Sequence, residues 1–153
     1  MNIEFMKFAL DIAAKSGEDV PVGAVIVKNG DVISKAVNER EKSQVLVHHA
    51  EILAIERANR VLNNWRLTDC EMYVTLEPCF MCAGAIVQSR LKAVYFGAYD
   101  LLNGALGSKI NISELTTIPL IVKGGIMEYE CKKLLQDYFE RARKNCLNKH
   151  KKH

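Results

Sequence analysis

Two short segments, residues 49–51 (His-Ala-Glu) and 78–82 (Pro-Cys-Phe-Met-Cys), constrain this 153-residue chain more than any other part of its sequence. They supply one imidazole and two thiols, which are ligands that zinc favours, together with a carboxylate that need not be a ligand. A structural zinc site usually closes with four protein ligands, whereas a catalytic site keeps one position open for water. Because Cys70 forms no second C-x-x-C pair with a neighbour, the spacing favours a catalytic site.

Hydrophobic periodicity along the chain predicts alternating helices and strands. Asn29-Gly30 is a strong hairpin signal, and residues 39–47 and 100–116 lack a clear period and are interpreted as irregular. We expect helices over 2–16, 48–60, 79–89 and 127–144, and strands over 21–27, 31–37, 72–76, 93–96 and 118–122. Such an order predicts an α/β fold, a three-layer α/β/α sandwich with a central mixed five-stranded sheet.

The predicted helices place the presumed ligands at helix starts. His49 opens one helix and Cys79 opens another, and Cys82 lies three residues further on, on the same helical face as Cys79. The partial positive charge at a helix N-terminus favours thiolate over thiol. His49 and Glu51 are two residues apart and do not share a helical face, so they can converge only if the helix points its N-terminal end at the site.

Composition is that of one globular domain. Apolar residues make up 49% and charged residues 25%, and no apolar run approaches the ~20 residues that cross a bilayer. The first residues have no basic region, so we expect no signal peptide and no membrane association. Three cysteines remain outside the metal motif, Cys70, Cys131 and Cys146, and an odd remainder suits a reducing cytoplasm better than a disulfide framework.

Positive charge is concentrated at the C-terminus. Between Arg141 and His153 there are six basic residues and no acidic one, so subtracting these from the net charge of +3 leaves the preceding residues at −3. A basic segment of this kind often contacts nucleic acid. It can equally be a solvated, frayed end that aids solubility, and the charge pattern alone leaves both interpretations open.

Further motifs narrow the class of protein. H-x-E followed by P-C-x-x-C is the signature of zinc-dependent nucleobase deaminases. The chain resembles the bacterial tRNA-specific adenosine deaminases of the cytidine/deoxycytidylate deaminase superfamily over about residues 3–145. The resemblance rests on the segments 21–25 (P-V-G-A-V), 49–52 (H-A-E-I), 75–85 (T-L-E-P-C-F-M-C-A-G-A) and 96–100 (F-G-A-Y-D), and on Asn38.

The resemblance implies a zinc-dependent deaminase domain of the cytidine deaminase type over 1–145, followed by a basic tail over 146–153. The reaction implied is hydrolytic deamination of the wobble adenosine to inosine in a tRNA anticodon loop. His49, Cys79 and Cys82 would hold one Zn²⁺ per chain. Glu51 would carry the proton from the attacking water to ring N1 and then to the leaving amine.

The family's substrate contacts also map onto this sequence. Asn38 would hydrogen-bond the flipped base, together with the backbone N–H of Ala50, and Asp100 would contact the ribose of a flanking nucleotide. Phe139 and Arg143 would lie beside the anticodon loop. From the residues alone, Asn38 could instead end a strand and Asp100 could cap the segment that follows it.

The implied partners are a tRNA anticodon stem-loop and a second copy of the chain in a homodimer. The family often has Asp-Pro-Thr-Ala immediately before the zinc histidine, where this chain has Val45 to His48. The departure leaves open the conformation of the loop over 39–48 and any role of His48. An alternative function is deamination of free cytosine or guanine. A zinc-stabilised nucleic-acid-binding module is a further class, which Glu51 argues against because a structural site needs no acid/base partner.

Overall fold

The computed structural model describes residues 1–151, so Lys152 and His153 of the predicted basic tail lie outside the described residues. Within this range the fold is the predicted three-layer α/β/α sandwich around a mixed five-stranded sheet. The helices are α1 (Ile3–Ala13), α2 (Arg40–Ser43), α3 (Ala50–Leu62), α4 (Phe80–Gln88) and α5 (Glu128–His150). The strands are β1 (Gly23–Lys28), β2 (Asp31–Val37), β3 (Cys70–Leu76), β4 (Ala93–Ala98) and β5 (Ile121–Lys123).

The sheet has the strand order β2-β1-β3-β4-β5. β1 pairs antiparallel with both β2 and β3, whereas β3, β4 and β5 run parallel. Asn29 and Gly30 connect β1 to β2 with φ values of 50° and 81°, because a two-residue I′ hairpin turn needs positive φ at both positions. The parallel strands β3 and β4 both deliver their carboxyl ends to one edge of the sheet, which is where ligands bind in open α/β folds.

Both faces of the sheet are covered, so its central strands are apolar on both sides. In β1, Ala24 and Ile26 pack in the core beneath α3 and α4, while Val25 and Val27 pack in the second core beneath α1 and α5. Tyr73 of β3 is buried in this second core. This alternation fixes the register of each strand and holds the starts of α3 and α4 on the same face of the sheet.

The segment over 39–47, predicted to be a loop, contains the short helix α2. The carboxylate of Asp19 accepts hydrogen bonds from the N–H groups of Glu41 (2.8 Å) and Lys42 (3.1 Å) at the start of this helix. A four-residue helix is too short to be stable by itself, and the capping group comes from a distant part of the chain. Local periodicity therefore carries no signal for it.

The boundaries of several elements differ from the sequence prediction, and α1, for example, ends at Ala13 and not at residue 16. β5 is short and begins at Ile121, and a 3₁₀ turn over Ile112–Leu115 lies within the segment predicted to be irregular. α5 continues to His150, beyond the predicted end at residue 144, so most of the predicted basic tail is helical. None of the helices in residues 1–151 is long and apolar enough to cross a membrane.

Candidate active site

The starts of α3 and α4 meet at the carboxyl edge of the sheet. His49 and Cys79 are the N-cap residues of these two helices, and both have extended backbone with ψ values of 153° and 177°. The Nδ1 atom of His49 lies 3.7 Å from the Sγ atom of Cys79 and 3.5 Å from that of Cys82. The helix-start positions predicted from the sequence thus bring the imidazole and both sulfurs together.

These three side chains fit a zinc ion. Tetrahedral zinc with typical Zn–N and Zn–S bond lengths separates its nitrogen and sulfur ligands by about 3.6 Å, close to both observed N···S distances. All of the ligand atoms lie within 4.8 Å of one another, and no fourth His, Cys, Asp or Glu side chain of residues 1–151 joins this group. Three protein ligands leave one position for water, as a catalytic zinc site requires.

The two sulfurs are electrostatically unequal in the metal-free chain. A hydrogen bond from the Cys82 thiol lowers the pKa of Cys79 to about 4. The same interaction, with burial, raises the pKa of Cys82. With a divalent cation bound, both cysteines would be thiolates, since a metal-bound cysteine must be deprotonated.

Glu51 lies in the first turn of α3 with its side chain directed into the cluster. The residue is only 4% exposed, and its Oε2 atom lies 3.4 Å from the Sγ of Cys82. Burial raises the pKa of Glu51, because the ionised carboxylate is poorly solvated there. A buried carboxyl group next to a metal site is suited to accept and release a proton during catalysis.

A cavity of about 660 Å³ opens over the cluster. Its size is within the range of about 300–1,000 Å³ that is typical of small-molecule sites. Besides His49 and Cys79 of the cluster, it is lined by the predicted residues Asn38, Glu51, Asp100 and Phe139. Arg143 lies about one turn beyond Phe139 on α5, in a separate groove along that helix.

The predicted substrate contacts have protein partners in this structure. Asn38 Oδ1 accepts the N–H of Ala50 at 2.8 Å, and Asn38 Nδ2 donates to the carbonyl of Val20 at 3.1 Å. Asp100 Oδ1 accepts the N–H groups of Leu102 (3.1 Å) and Asn103 (3.0 Å), so this carboxylate caps the turn that follows it. Both side chains are therefore held in fixed orientations at the cavity.

Sequence reasoning missed three residues that shape the cavity. Asp19 caps α2, Glu77 accepts hydrogen bonds from the loop after β4, and the Tyr138 hydroxyl donates to the carbonyl of Glu18 at 2.8 Å. A signal existed only for Glu77, which is an acidic residue between an apolar strand and Pro78. His48, whose role was left open, pairs through Nδ1 with the Ser43 hydroxyl at 2.7 Å and is not part of the ligand cluster.

Comparison with known proteins identifies the family. Residues 1–98 match the family model for the cytidine and deoxycytidylate deaminase zinc-binding region. A tRNA-specific adenosine deaminase of Bacillus subtilis is 44% identical over 144 residues, covering 92% of this chain and 89% of the relative. The Aquifex aeolicus tRNA-specific adenosine deaminase is 44% identical over 149 residues, covering 94% of this chain and 97% of the relative.

A solved structure supports the same assignment. It comes from a study of A-to-I editing by tRNA:A34 deaminases at the wobble position, and it superimposes with a TM-score of 0.84 at 38% identity. The match covers 88% of this chain and 100% of the other. With three side chains that could hold a zinc ion and a buried carboxylate at its site, this chain is a zinc-dependent hydrolytic deaminase and belongs to the family of tRNA-specific adenosine deaminases.

Proposed function

We propose that this chain converts the wobble adenosine of a tRNA anticodon stem-loop to inosine, with water as the second substrate and ammonia as the second product. The observation that carries the proposal is the buried Glu51 carboxyl beside the three-ligand cluster in one cavity. The assignment of adenosine in tRNA as the substrate rests on the family to which the chain belongs. Deaminases of this type read a base that has been flipped out of its stack.

The residues of the cluster divide the chemistry between them. His49, Cys79 and Cys82 would hold the zinc ion, which when bound is a Lewis acid that lowers the pKa of water toward neutrality. Glu51 accepts a proton from the attacking water and transfers it to N1 of the adenine ring as the water oxygen adds to C6. It then takes up the proton of the C6 hydroxyl group and delivers it to the departing amine, which leaves as ammonia. One buried carboxyl serves all of these transfers, because Glu51 is only 4% exposed and lies against the cluster.

Asn38 is proposed to bind the edge of the flipped base. Its amide keeps one Nδ2–H and one Oδ1 lone pair after its hydrogen bonds to Val20 and Ala50. Those two bonds also fix which end of the amide is the donor. The Ala50 N–H is engaged by Asn38, so Ala50 contacts the base only if that bond is exchanged for one to the substrate.

The proposed RNA surface lies around the cavity mouth. Asp100 is proposed to contact the ribose of a flanking nucleotide, and Phe139, which is 49% exposed, to pack against the anticodon loop. Arg143 and the other basic residues of α5 extend from the cavity along one helix. Their positive charge is complementary to phosphates, each of which releases condensed counterions when it is neutralised.

We also propose that the chain acts as a homodimer in the cytoplasm. Three large apolar residues stay exposed immediately after site residues in the sequence: Phe80 (52%), Leu101 (76%) and Leu102 (79%). An apolar surface of this kind is suited to contact with a second copy, which would place the partner next to the cavity. Sedimentation equilibrium tests this point, and a monomer at micromolar concentration would contradict it.

Ammonia release tests the proposed reaction. The zinc-loaded protein is incubated separately with a tRNA anticodon stem-loop, adenosine, cytosine and guanine. We expect release with the stem-loop and inosine at its wobble position, confirmed by nucleoside mass spectrometry. Turnover of cytosine or guanine without turnover of the stem-loop would refute the proposal and support the free-base alternative.

A further inference from the structure

Glu77 is the most completely buried acidic residue in residues 1–151, with 1% of its surface exposed, and the chemistry described above does not use it. It follows the last residue of β3 and precedes Pro78 and the zinc ligand Cys79. None of the ion pairs in the described part of the chain involves Glu77. A buried carboxylate without a cationic partner needs hydrogen-bond donors.

The donors come from the loop that follows β4. Glu77 Oε2 accepts the N–H of Asp100 at 3.0 Å and the hydroxyl of Ser108. Glu77 Oε1 accepts the N–H of Leu106 at 3.2 Å and that of Ser108 at 2.9 Å. Three backbone N–H dipoles and one hydroxyl therefore converge on a single carboxylate, in the manner of a backbone anion nest.

The same loop is anchored to the backbone on either side of this carboxylate. The N–H of Glu77 donates to the carbonyl of Ala98 at 2.8 Å, and the N–H of Ala105 donates to the carbonyl of Pro78 at 2.9 Å. Gly104 packs so closely that an added Cβ would overlap both the Glu77 carboxyl group and the carbonyl of Asp100. The loop therefore closes around Glu77 as its centre.

We infer that Glu77 is a positioning residue: it fixes the position of the loop that contains Asp100 relative to Cys79. Asp100 and Asn103 line the same cavity as the cluster. The Glu77 side chain adds to these backbone contacts by binding their loop next to Cys79, so it helps to set their placement relative to the cluster. Glu77 therefore acts on substrate binding through Asp100 and has no part in the proton transfers of Glu51.

The inference rests on the proposed function where it concerns RNA, so the first test does not use RNA. Amide hydrogen exchange is measured on the zinc-loaded wild type and on Glu77→Gln, which keeps the volume but places an NH₂ group against backbone donors. We expect the amides of Asp100, Leu106 and Ser108 to exchange at least tenfold faster in the variant. Equal exchange in the two proteins would overturn the inference, whether or not the proposed function holds.

The second test separates positioning from a general structural role. With the stem-loop as substrate, Glu77→Gln should raise KM about tenfold, the effect of losing one hydrogen bond, and change kcat by less than threefold, with one zinc retained per chain. Glu71→Gln, at a partly buried position on β3, the strand that Glu77 follows, is the matched control and should leave KM unchanged. Loss of zinc, or a fall in kcat with KM unchanged, would refute the positioning role.

Ser108→Ala provides a variant that keeps the carboxylate and removes only the hydroxyl donor. It should fold even if Glu77→Gln does not, and it should raise KM in the same direction by a smaller factor. Glu77→Asp should recover part of the wild-type KM, since it restores an acceptor that binds the same donors. Wild-type KM in Ser108→Ala, with no recovery in Glu77→Asp, would overturn the inference.

Discussion

Replacing Glu51 by glutamine tests the mechanism most directly, because the change removes the proton-transfer group and little else. Glutamine has nearly the volume of glutamate, so it can fill the same buried site in the first turn of α3. The three ligand side chains, His49, Cys79 and Cys82, are untouched. We therefore expect Glu51→Gln to retain one zinc per chain and to bind the stem-loop normally.

The expected loss of rate follows from the role of the carboxyl group. A positioned general acid or base contributes about 10²–10⁴-fold, equivalent to about 2.7–5.4 kcal/mol of activation free energy. Glu51 is 4% exposed, so bulk water cannot readily replace it as the proton carrier. Since the same group is used in more than one transfer, we expect a loss at the upper end of this range.

Single-turnover deamination of the stem-loop, with zinc content measured on the same samples, gives the result. The control is Glu56→Gln on the exposed side of the same helix. Its ion pair with Arg60 is at the surface and contributes little to the stability of the fold. The control should keep wild-type kinetics. A Glu51→Gln rate within about threefold of wild type, at equal zinc content, would refute the proton-transfer role, because it is far below the usual contribution.

The metal ligands, the base-binding amide, the basic tail and the free thiols can each be tested separately. Cys82→Ala should lose the zinc ion, measured by metal analysis, and full zinc in a Cys79→Ala/Cys82→Ala double variant would contradict the ligand assignment. Asn38→Ala should lower single-turnover activity about 5- to 150-fold, because it leaves the base edge without its proposed hydrogen-bond partner at a cost of about 1–3 kcal/mol; unchanged kinetics would contradict the base contact. Truncation after Asn145 should weaken binding of the stem-loop. The slope of log K against log salt should fall by up to about 0.7 for each phosphate that the tail no longer neutralises. An identical slope in the full-length and truncated proteins would make the basic tail a solubility feature. In the zinc-loaded protein, the exposed Cys146 should be the one thiol per chain that reacts rapidly with a thiol reagent. Removal of the zinc with a chelator should make Cys79, whose pKa is low, a second reactive thiol. Equal labelling before and after chelation would count against the zinc site.

Much of the fold could be predicted because the sequence and the core agree position by position. The alternation in β1 separates two buried faces, and Asn29-Gly30 fixes the hairpin. The metal cluster was predictable for a related reason: its ligands occupy helix starts, and those starts are marked locally by the change in periodicity and by Pro78. Hydrophobic periodicity and turn residues were therefore sufficient to predict the central strands, the hairpin and the two helix starts.

What could not be predicted depends on contacts between distant segments. α2 forms because Asp19 caps it from the loop before β1, and nothing near Arg40 indicates this. The irregular segment after β4 is ordered by Glu77, which is more than twenty residues earlier in the chain. The end of α5 was missed because its final turns are exposed and polar, so no apolar stripe marks them.

The loop before the zinc histidine shows how these distant contacts tolerate a change of sequence. Its residues differ from the family's frequent Asp-Pro-Thr-Ala, yet the backbone around His48 is held by two hydrogen bonds. The N–H of Glu39 donates to the carbonyl of His48 at 3.0 Å, and the N–H of His49 donates to the carbonyl of Val47 at 2.8 Å. His49 therefore enters α3 with the geometry the metal needs. Within the departing segment, Leu46 is 72% exposed and forms part of the cavity lining. A change at Leu46 therefore alters the surface at the cavity and leaves intact the backbone hydrogen bonds that place His49 at the start of α3.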